Sequence, residues 1–124
     1  MINKVQKVWG NEEWIVNNEL YCGKILSLNE GYQCSMHYHK NKHETFFILD
    51  GLILMEVDGE KKIMKKGDVQ VIDKNIKHRF IGLKDSKIIE FSTHHEDEDS
   101  YRESVSGKVD LNLLNIDKTL LEIK

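Results

Sequence analysis

Proline is absent from this 124-residue chain, and cysteine occurs only twice, at Cys22 and Cys34. Without proline, turns fall to Gly, Asn and Asp, so the eight glycines act as punctuation. The two cysteines form neither a CxxC pair nor a disulfide framework, and they read as reduced thiols packed like small apolar side chains. There is no excess of basic charge: 18 Lys and Arg stand against 21 Asp and Glu, a net charge of −3, which argues against a nucleic-acid partner. No apolar run approaches the length of a bilayer span, and the run at 46–49 is typical. The opening MINKVQKVWGNEEW lacks the apolar segment of a signal peptide, so the expected location is the cytoplasm, with no membrane partner. No period of a solenoid repeats. The length fits one domain able to bury its own core, and 40% apolar with 31% charged residues suits a folded globular chain.

What the chain does have is a series of short β-type runs. Residues 20–28, 32–38, 44–49, 52–57, 61–65, 69–72, 78–81 and 87–92 each read as a strand bounded by Gly, Asn or Asp. Asp58-Gly59 between two of them is the strongest hairpin signal. Strands at spacings near ten residues predict an all-β sandwich or barrel. The segment 9–14, WGNEEW, carries both tryptophans and is expected to cap a barrel end or to face a second subunit. The segment 116–123 fits a final helical turn or an edge strand equally.

All six histidines fall between positions 37 and 95. His37 and His39 are two apart in a strand-like run, so both rings face one side. Glu44 opens the following strand, and His78 opens a much later one. An HxH pair alone is most often two surface histidines. Three imidazoles and a carboxylate, if they meet, are a common ligand set for a divalent first-row metal, with coordination positions left open for a small molecule.

The first block, residues 31–51, has the spacing G-x5-H-x-H-x4-E-x6-G through Gly31, His37, His39, Glu44 and Gly51. The second, residues 67–82, has Gly67 and, eleven positions on, His78. Fifteen residues separate the blocks. This arrangement resembles the paired motifs of the cupin superfamily. At the second motif's usual proline, glycine and asparagine, this chain has Asp73, Asn75 and Gly82. Asn75 stands in for glycine because Asn tolerates left-handed backbone angles. The resemblance implies a small cupin β-barrel (a double-stranded β-helix or jelly roll) over 1–124, with 1–19 an N-terminal arm and possible interface strand. It further implies a barrel core at 20–92 and, at 93–124, an acidic loop and C-terminal segment. His37, His39, Glu44 and His78 are the implied ligands of one divalent transition metal ion: Mn, Fe, Ni or Zn.

Two further stretches narrow the resemblance. The start, with Trp9, Gly10, Glu13 and Lys24-Ile25-Leu26, and the tail EFSTHHEDEDSYR at 90–102 are similar to the cupin domain of bacterial mannose-6-phosphate isomerases fused to a nucleotidyltransferase. No nucleotidyltransferase segment is in this sequence. The implied activity is aldose–ketose isomerisation of a sugar or sugar phosphate. Such chemistry needs an acid–base group, for which Glu44, His43 and His95 are candidates, with His94 nearby. Arg102 and Lys24 are candidates for holding an anionic group, and Tyr38 for a further substrate contact. The acidic run 96–99 reads as a solvated loop. The same ligand set also serves an Fe(II) dioxygenase, for which Met36, Tyr38, Phe46, Phe80 and Phe91 offer an apolar mouth, or a non-catalytic small-ligand binder. A homodimer is expected from the family, through a sheet edge and the N-terminal strand, near Trp9, Trp14 and Ile15.

Overall fold

The structure is a computed structural model and describes residues 3–122. The chain folds as thirteen strands: β1 (Asn3–Lys7), β2 (Gly10–Asn17), β3 (Cys22–Leu28), β4 (Tyr32–Gln33), β5 (His37–Tyr38), β6 (Glu44–Asp50), β7 (Leu52–Val57), β8 (Glu60–Lys65), β9 (Val69–Ile72), β10 (His78–Gly82), β11 (Ser86–Ser92), β12 (Tyr101–Arg102) and β13 (Gly107–Lys108). Three short 3-10 turns, at Asp97–Asp99, Leu111–Leu113 and Lys118–Glu122, are the helical structure among the described residues. Two antiparallel sheets result. One runs β1-β2-β3-β11-β6-β9. In the other, β10 is central, with β7 along one edge, carrying β8, and β5 and β4 along the opposite edge, carrying β12 and β13.

Alternation drives this packing. In β3, Cys22, Lys24, Leu26 and Leu28 are buried while the residues between them are only half-buried. β6 alternates likewise through Glu44, Phe46 and Ile48, and β11 through Ser86, Ile88 and Glu90. The core between the sheets holds Leu26, Phe46, Ile48, Ile53, Met55, Met64, Ile72, Phe80 and Ile88. Asp58 and Gly59 both have positive φ, at 51° and 82°, as a two-residue hairpin turn of the right twist requires.

The sequence-derived boundaries shift in three places. The run expected at 32–38 is broken between β4 and β5, because its middle amides leave the sheet: Ser35 N–H donates to Ser106 Oγ (3.0 Å) and Met36 N–H to Ser104 Oγ (2.8 Å). The N-terminal arm is a β1–β2 hairpin that completes the first sheet through β3. At its turn Trp9 is buried, edge-to-face with Phe80 at 5.4 Å, so Trp9 is core and not available to a second subunit. The C-terminal segment ends in the turn Lys118–Glu122 and not in a strand, while Ile123 lies outside the described residues. Val109, Leu111, Leu114, Ile116 and Leu121 from this segment pack over Leu54, Ile81 and Leu83 on the outer side of the second sheet.

Candidate metal centre

β5, β6 and β10 meet at one end of the barrel. His37 and His78 are direct partners across the β5–β10 pair, and Glu44 stands at the head of β6. The donor nitrogens of His37, His39 and His78 all lie within 4.8 Å of one another. Glu44 Oε2 is 3.0 Å from His78 Nε2 and 3.2 Å from His39 Nε2. Each ring's other nitrogen faces a backbone carbonyl: His37 Nδ1 that of Ser35 (2.7 Å), His39 Nδ1 that of Asp99 (3.1 Å), and His78 Nδ1 that of Ile76 (2.9 Å). A carbonyl only accepts, so each Nδ1 carries the hydrogen and each Nε2 presents a lone pair. Three lone pairs and a carboxylate oxygen therefore face each other. Glu44 Oε2 and His78 Nε2 are buried with no hydrogen-bond partner. Such an arrangement is costly unless a cation stands among the four groups. Backbone-oriented imidazoles with one carboxylate are what a divalent transition metal takes, so the residues fit such an ion.

The charges around this cluster are balanced pair by pair. Burial and the neighbouring His78 push His37 down to about 3, so it is neutral at ordinary pH. In the metal-free chain burial works to raise the Glu44 carboxyl, but Nε2–H donation from His39 and His78 when those rings are protonated, together with the Lys42 ammonium, holds it well below the usual carboxylate range. Lys42 is buried, and its three ammonium hydrogens face Glu44 Oε1 (3.4 Å), Glu90 Oε2 (3.2 Å) and His95 Nδ1 (3.0 Å). Burial opposes that charge, and Glu90 and Glu44 outweigh it and raise the lysine above its ordinary range. His95, lowered by burial and by Lys42 and Lys24, donates its Nε2 hydrogen to Asp97 (2.9 Å).

A cavity of about 260 Å³ opens beside the cluster, bordered by His37, His39 and Glu44. Its apolar lining comes from Trp9, Leu26, Cys34, Phe46 and Phe80. Burial pushes the Cys34 thiol up to about 12, so it lines the cavity as an inert apolar group. The polar lining of the cavity comes from Glu12, Lys24, Lys42, Glu90 and His95, with Asp97, Ser100, Arg102 and Ser106, and the two kinds interleave, since Lys24, Glu90 and Phe46 lie in one row across β3, β11 and β6. Lys24, fully buried, lies 3.2 Å from Glu12 Oε1 and 4.4 Å above the Trp14 ring. Arg102 is exposed, and three acids of the 96–99 run face other partners: Asp97 faces His95, Glu96 faces His94, and Asp99 faces backbone amides.

Of the sequence-derived site residues, the structure brings His37, His39, Glu44 and His78 together, with Lys24, His95 and Arg102 around the same cavity. It leaves three outside the cavity lining: His78, which is wholly buried within the cluster, and His43 and Tyr38. His43 is on the surface, its Nε2 2.9 Å from Asp73, and Tyr38 stacks on Tyr101 at 5.2 Å between ring centroids. Phe91 is also on the outside of the barrel, 57% exposed, and contributes nothing to an apolar mouth. The acidic run 96–99 is not wholly solvated, because Asp99 is buried. The departures in the second motif are accounted for locally. Asn75 adopts φ 68° and donates its amide to the His39 carbonyl at 2.7 Å, tying the two motifs together. At position 82 any side chain would meet the Asn29 carbonyl, with a Cβ only 2.6 Å from its oxygen. Sequence reasoning missed Lys42, Glu90 and Asp99; only Glu90 left a signal, since it shares the inward parity of Ile88 in β11.

Two antiparallel sheets closing over a histidine–carboxylate cluster define a small β-barrel with that cluster beside its cavity. The chain belongs to the cupin family: a model of the cupin domain matches residues 24–93, over half its length. Solved structures agree in fold. KdgF from Halomonas sp. is 19% identical, with a TM-score of 0.67 over 71% of this chain and 81% of that one. An RmlC-like cupin from Shewanella frigidimarina is 13% identical, with a TM-score of 0.73 over 79% and 88%. Streptomyces Pac13, a nucleoside dehydratase, is 8% identical, with a TM-score of 0.75 over 93% and 92%. At these identities the likeness is one of fold. No curated protein matches the sequence. No helix among the described residues is long and apolar enough to cross a membrane.

Proposed function

We propose that this cupin is a metal-dependent enzyme that isomerises a sugar or sugar phosphate between aldose and ketose forms. The observation that carries the reading is the charged part of the cavity lining: Glu12, Lys24, Lys42, Glu90 and His95 converge beside the histidine–carboxylate cluster. These groups pair with one another, but an apolar substrate would strip water from their remaining hydrogen-bonding positions, whereas a polyol can meet those with hydroxyls. Trp9, Phe46 and Phe80, interleaved with those groups in the cavity lining, suit the C–H face of a sugar ring. That Streptomyces Pac13 has been solved with uridine supports a polyhydroxylated ligand in a barrel of this shape.

His37, His39, His78 and Glu44 would hold the metal, which when bound supplies a Lewis acid for the adjacent carbonyl and hydroxyl oxygens. Moving a proton between neighbouring carbons needs a base on the cavity wall. Glu90 is suited to be that base, since its side chain borders the cavity and is held there by Lys42 and Ser92, which donate to its Oε2 at 3.2 and 2.8 Å. It takes the proton from the carbon beside the carbonyl and returns it to the former carbonyl carbon, while a proton passes from the hydroxyl on the first of these carbons to the former carbonyl oxygen, so no oxidant or reductant is consumed. His95 stands next to it across Lys42. His43, exposed against Asp73, takes no part. Arg102 at the rim receives an anionic group of the substrate.

The test is turnover of a panel of aldoses, ketoses and their phosphates in D₂O, with protein loaded in turn with Mn, Fe, Ni or Zn. Isomerised product carrying solvent deuterium at the exchanging carbon is expected, and Glu90→Gln should abolish it while keeping the metal. No isomerisation with any metal, together with O₂ uptake on an aromatic or thiol substrate, would replace this reading with a dioxygenase. Metal binding with neither activity would leave a ligand-binding role.

A further inference from the structure

The acidic tail holds the metal-bearing loop from behind. Asp99 sits in the 3-10 turn Asp97–Asp99, some sixty positions from the loop 40–43 that joins His37 and His39 to Glu44, and it is only 4% exposed. Its carboxylate accepts from three successive backbone amides: Oδ1 from Lys40 (3.0 Å) and Asn41 (3.1 Å), Oδ2 from Asn41 (3.2 Å) and Lys42 (3.0 Å). Consecutive amides aimed at one anion form a nest, and here the anion is a side chain of the protein itself. Two further contacts turn this clamp toward the metal centre. The backbone carbonyl of Asp99 accepts the Nδ1 hydrogen of His39, fixing that ring with Nε2 toward Glu44. Lys42, whose amide the carboxylate holds, places its ammonium on Glu44 Oε1.

We infer that Asp99 is the positioning residue of the metal centre. One residue sets the tautomer and tilt of His39 through its carbonyl, and the position of Lys42 and hence of Glu44 through its carboxylate. Contacts that orient a ligand ring in this way typically change metal affinity by about 10- to 100-fold when removed. The inference rests on the metal-binding part of the function proposed above and is independent of the substrate.

The experiment is titration of metal-free protein with Zn²⁺ and Mn²⁺ by calorimetry, comparing the natural protein with Asp99→Asn, Asp99→Ala and Glu98→Gln. Asp99→Asn keeps the shape but turns an amide NH₂ toward the nest. It should bind metal at least about 10-fold more weakly, with far-UV dichroism unchanged and an altered visible spectrum of the Co²⁺-loaded form. Glu98→Gln, in the same turn, should bind as the natural protein does. A merely structural Asp99 would lower the denaturation midpoint while leaving the Co²⁺ spectrum and the affinity of the folded fraction unmoved, and that result overturns the inference. Hydrogen exchange on the natural protein decides the case if the variants do not fold. Protection at the Asn41 and Lys42 amides, increasing when metal is added, supports the clamp, and fast exchange at both overturns it. If the natural protein itself binds neither metal, the proposed function fails; if it binds and Asp99→Asn binds equally, only this inference fails.

Discussion

His37 and His43 lie six positions apart in one short stretch, yet they stand in opposite circumstances. His37 points its lone pair at His39 and His78, whereas His43 is exposed against Asp73. His37→Ala should therefore strip most of the metal from the purified protein, while His43→Ala should retain it, as read by elemental analysis; equal loss in both would refute the ligand set. Lys42 carries a different prediction. Its ammonium neutralises two buried carboxylates, Glu44 and Glu90, so Lys42→Met leaves both unpaired. Removing one partner of a buried ion pair costs about 3–5 kcal/mol, and urea denaturation of the metal-free protein should show a loss of that order. The ligands were legible because parity within a strand and ligand chemistry act over a few positions. Lys42 was not, because KNKHE reads as a solvated loop until Asp99 and Glu90 arrive from about fifty positions away. Glu90 and Lys24 are intermediate cases: each sits at an inward position of an alternating strand, where a charged residue already signals a polar cavity.

Strand boundaries in the middle of the chain follow alternation and turn residues, which is why β6 to β11 fall within one or two positions of the spans read from sequence. The ends were opaque for a physical reason. β12 and β13 are two residues each and exist only as partners of β5 and β4, so neither has a period of its own. Glycine placement at the element scale yields a graded prediction. Gly51, between β6 and β7, has φ +101°, and a Cβ there would lie 2.6 Å from Ser86 Cα. Gly59, in the β7–β8 turn, has φ +82° and open space around the missing Cβ. Gly51→Ala combines backbone strain with a clash against β11 and should cost about 2 kcal/mol or more. Gly59→Ala meets strain alone and should cost about 1 kcal/mol. Urea midpoints at constant m-value measure the difference, and equal costs would mean that β6–β7 gives way more easily than its packing implies.

At the scale of the molecule, apolar side chains that the core does not use gather on the outer face of the first sheet. Phe91, Thr45 and Val71 lie in one row across β11, β6 and β9, with Ile89, Phe47 and Val69 in the next; Phe91, Val69 and Val71 are 57%, 53% and 48% exposed. The homodimer expected through the N-terminal strand loses Trp9 to the core, while Ile15 of β2 is 50% exposed; light scattering of the natural protein against Ile15→Glu and Phe91→Glu tests both surfaces, and a monomer at all concentrations would dismiss the expectation. The acid response of the metal-free protein is a second whole-molecule property. His37 titrates at about 3 when folded against an ordinary 6.5, because burial and His78 oppose its charge. Glu44 is likewise held below the usual carboxylate range despite burial, by His39 and His78 once protonated and by Lys42. Both folded values are depressed, so as pH falls the unfolded chain takes up these protons first, and stability is lost. The histidine contribution is complete above about 6.5 and disappears progressively toward about 3, with the Glu44 loss adding below about 4.5. Lys42 has the opposite sign: its raised value protects stability until the pH exceeds its ordinary 10.5, and so plays no part on the acid side. Denaturation midpoints of the chelator-treated protein should fall steadily from about pH 7 to about pH 4. Saturating Zn²⁺ should steepen that fall, since protons then compete with the metal for the same lone pairs as well as with the fold. A midpoint that stays level across this range in the metal-free protein would mean that His37 is already open to water, and the closed cluster would have to be abandoned.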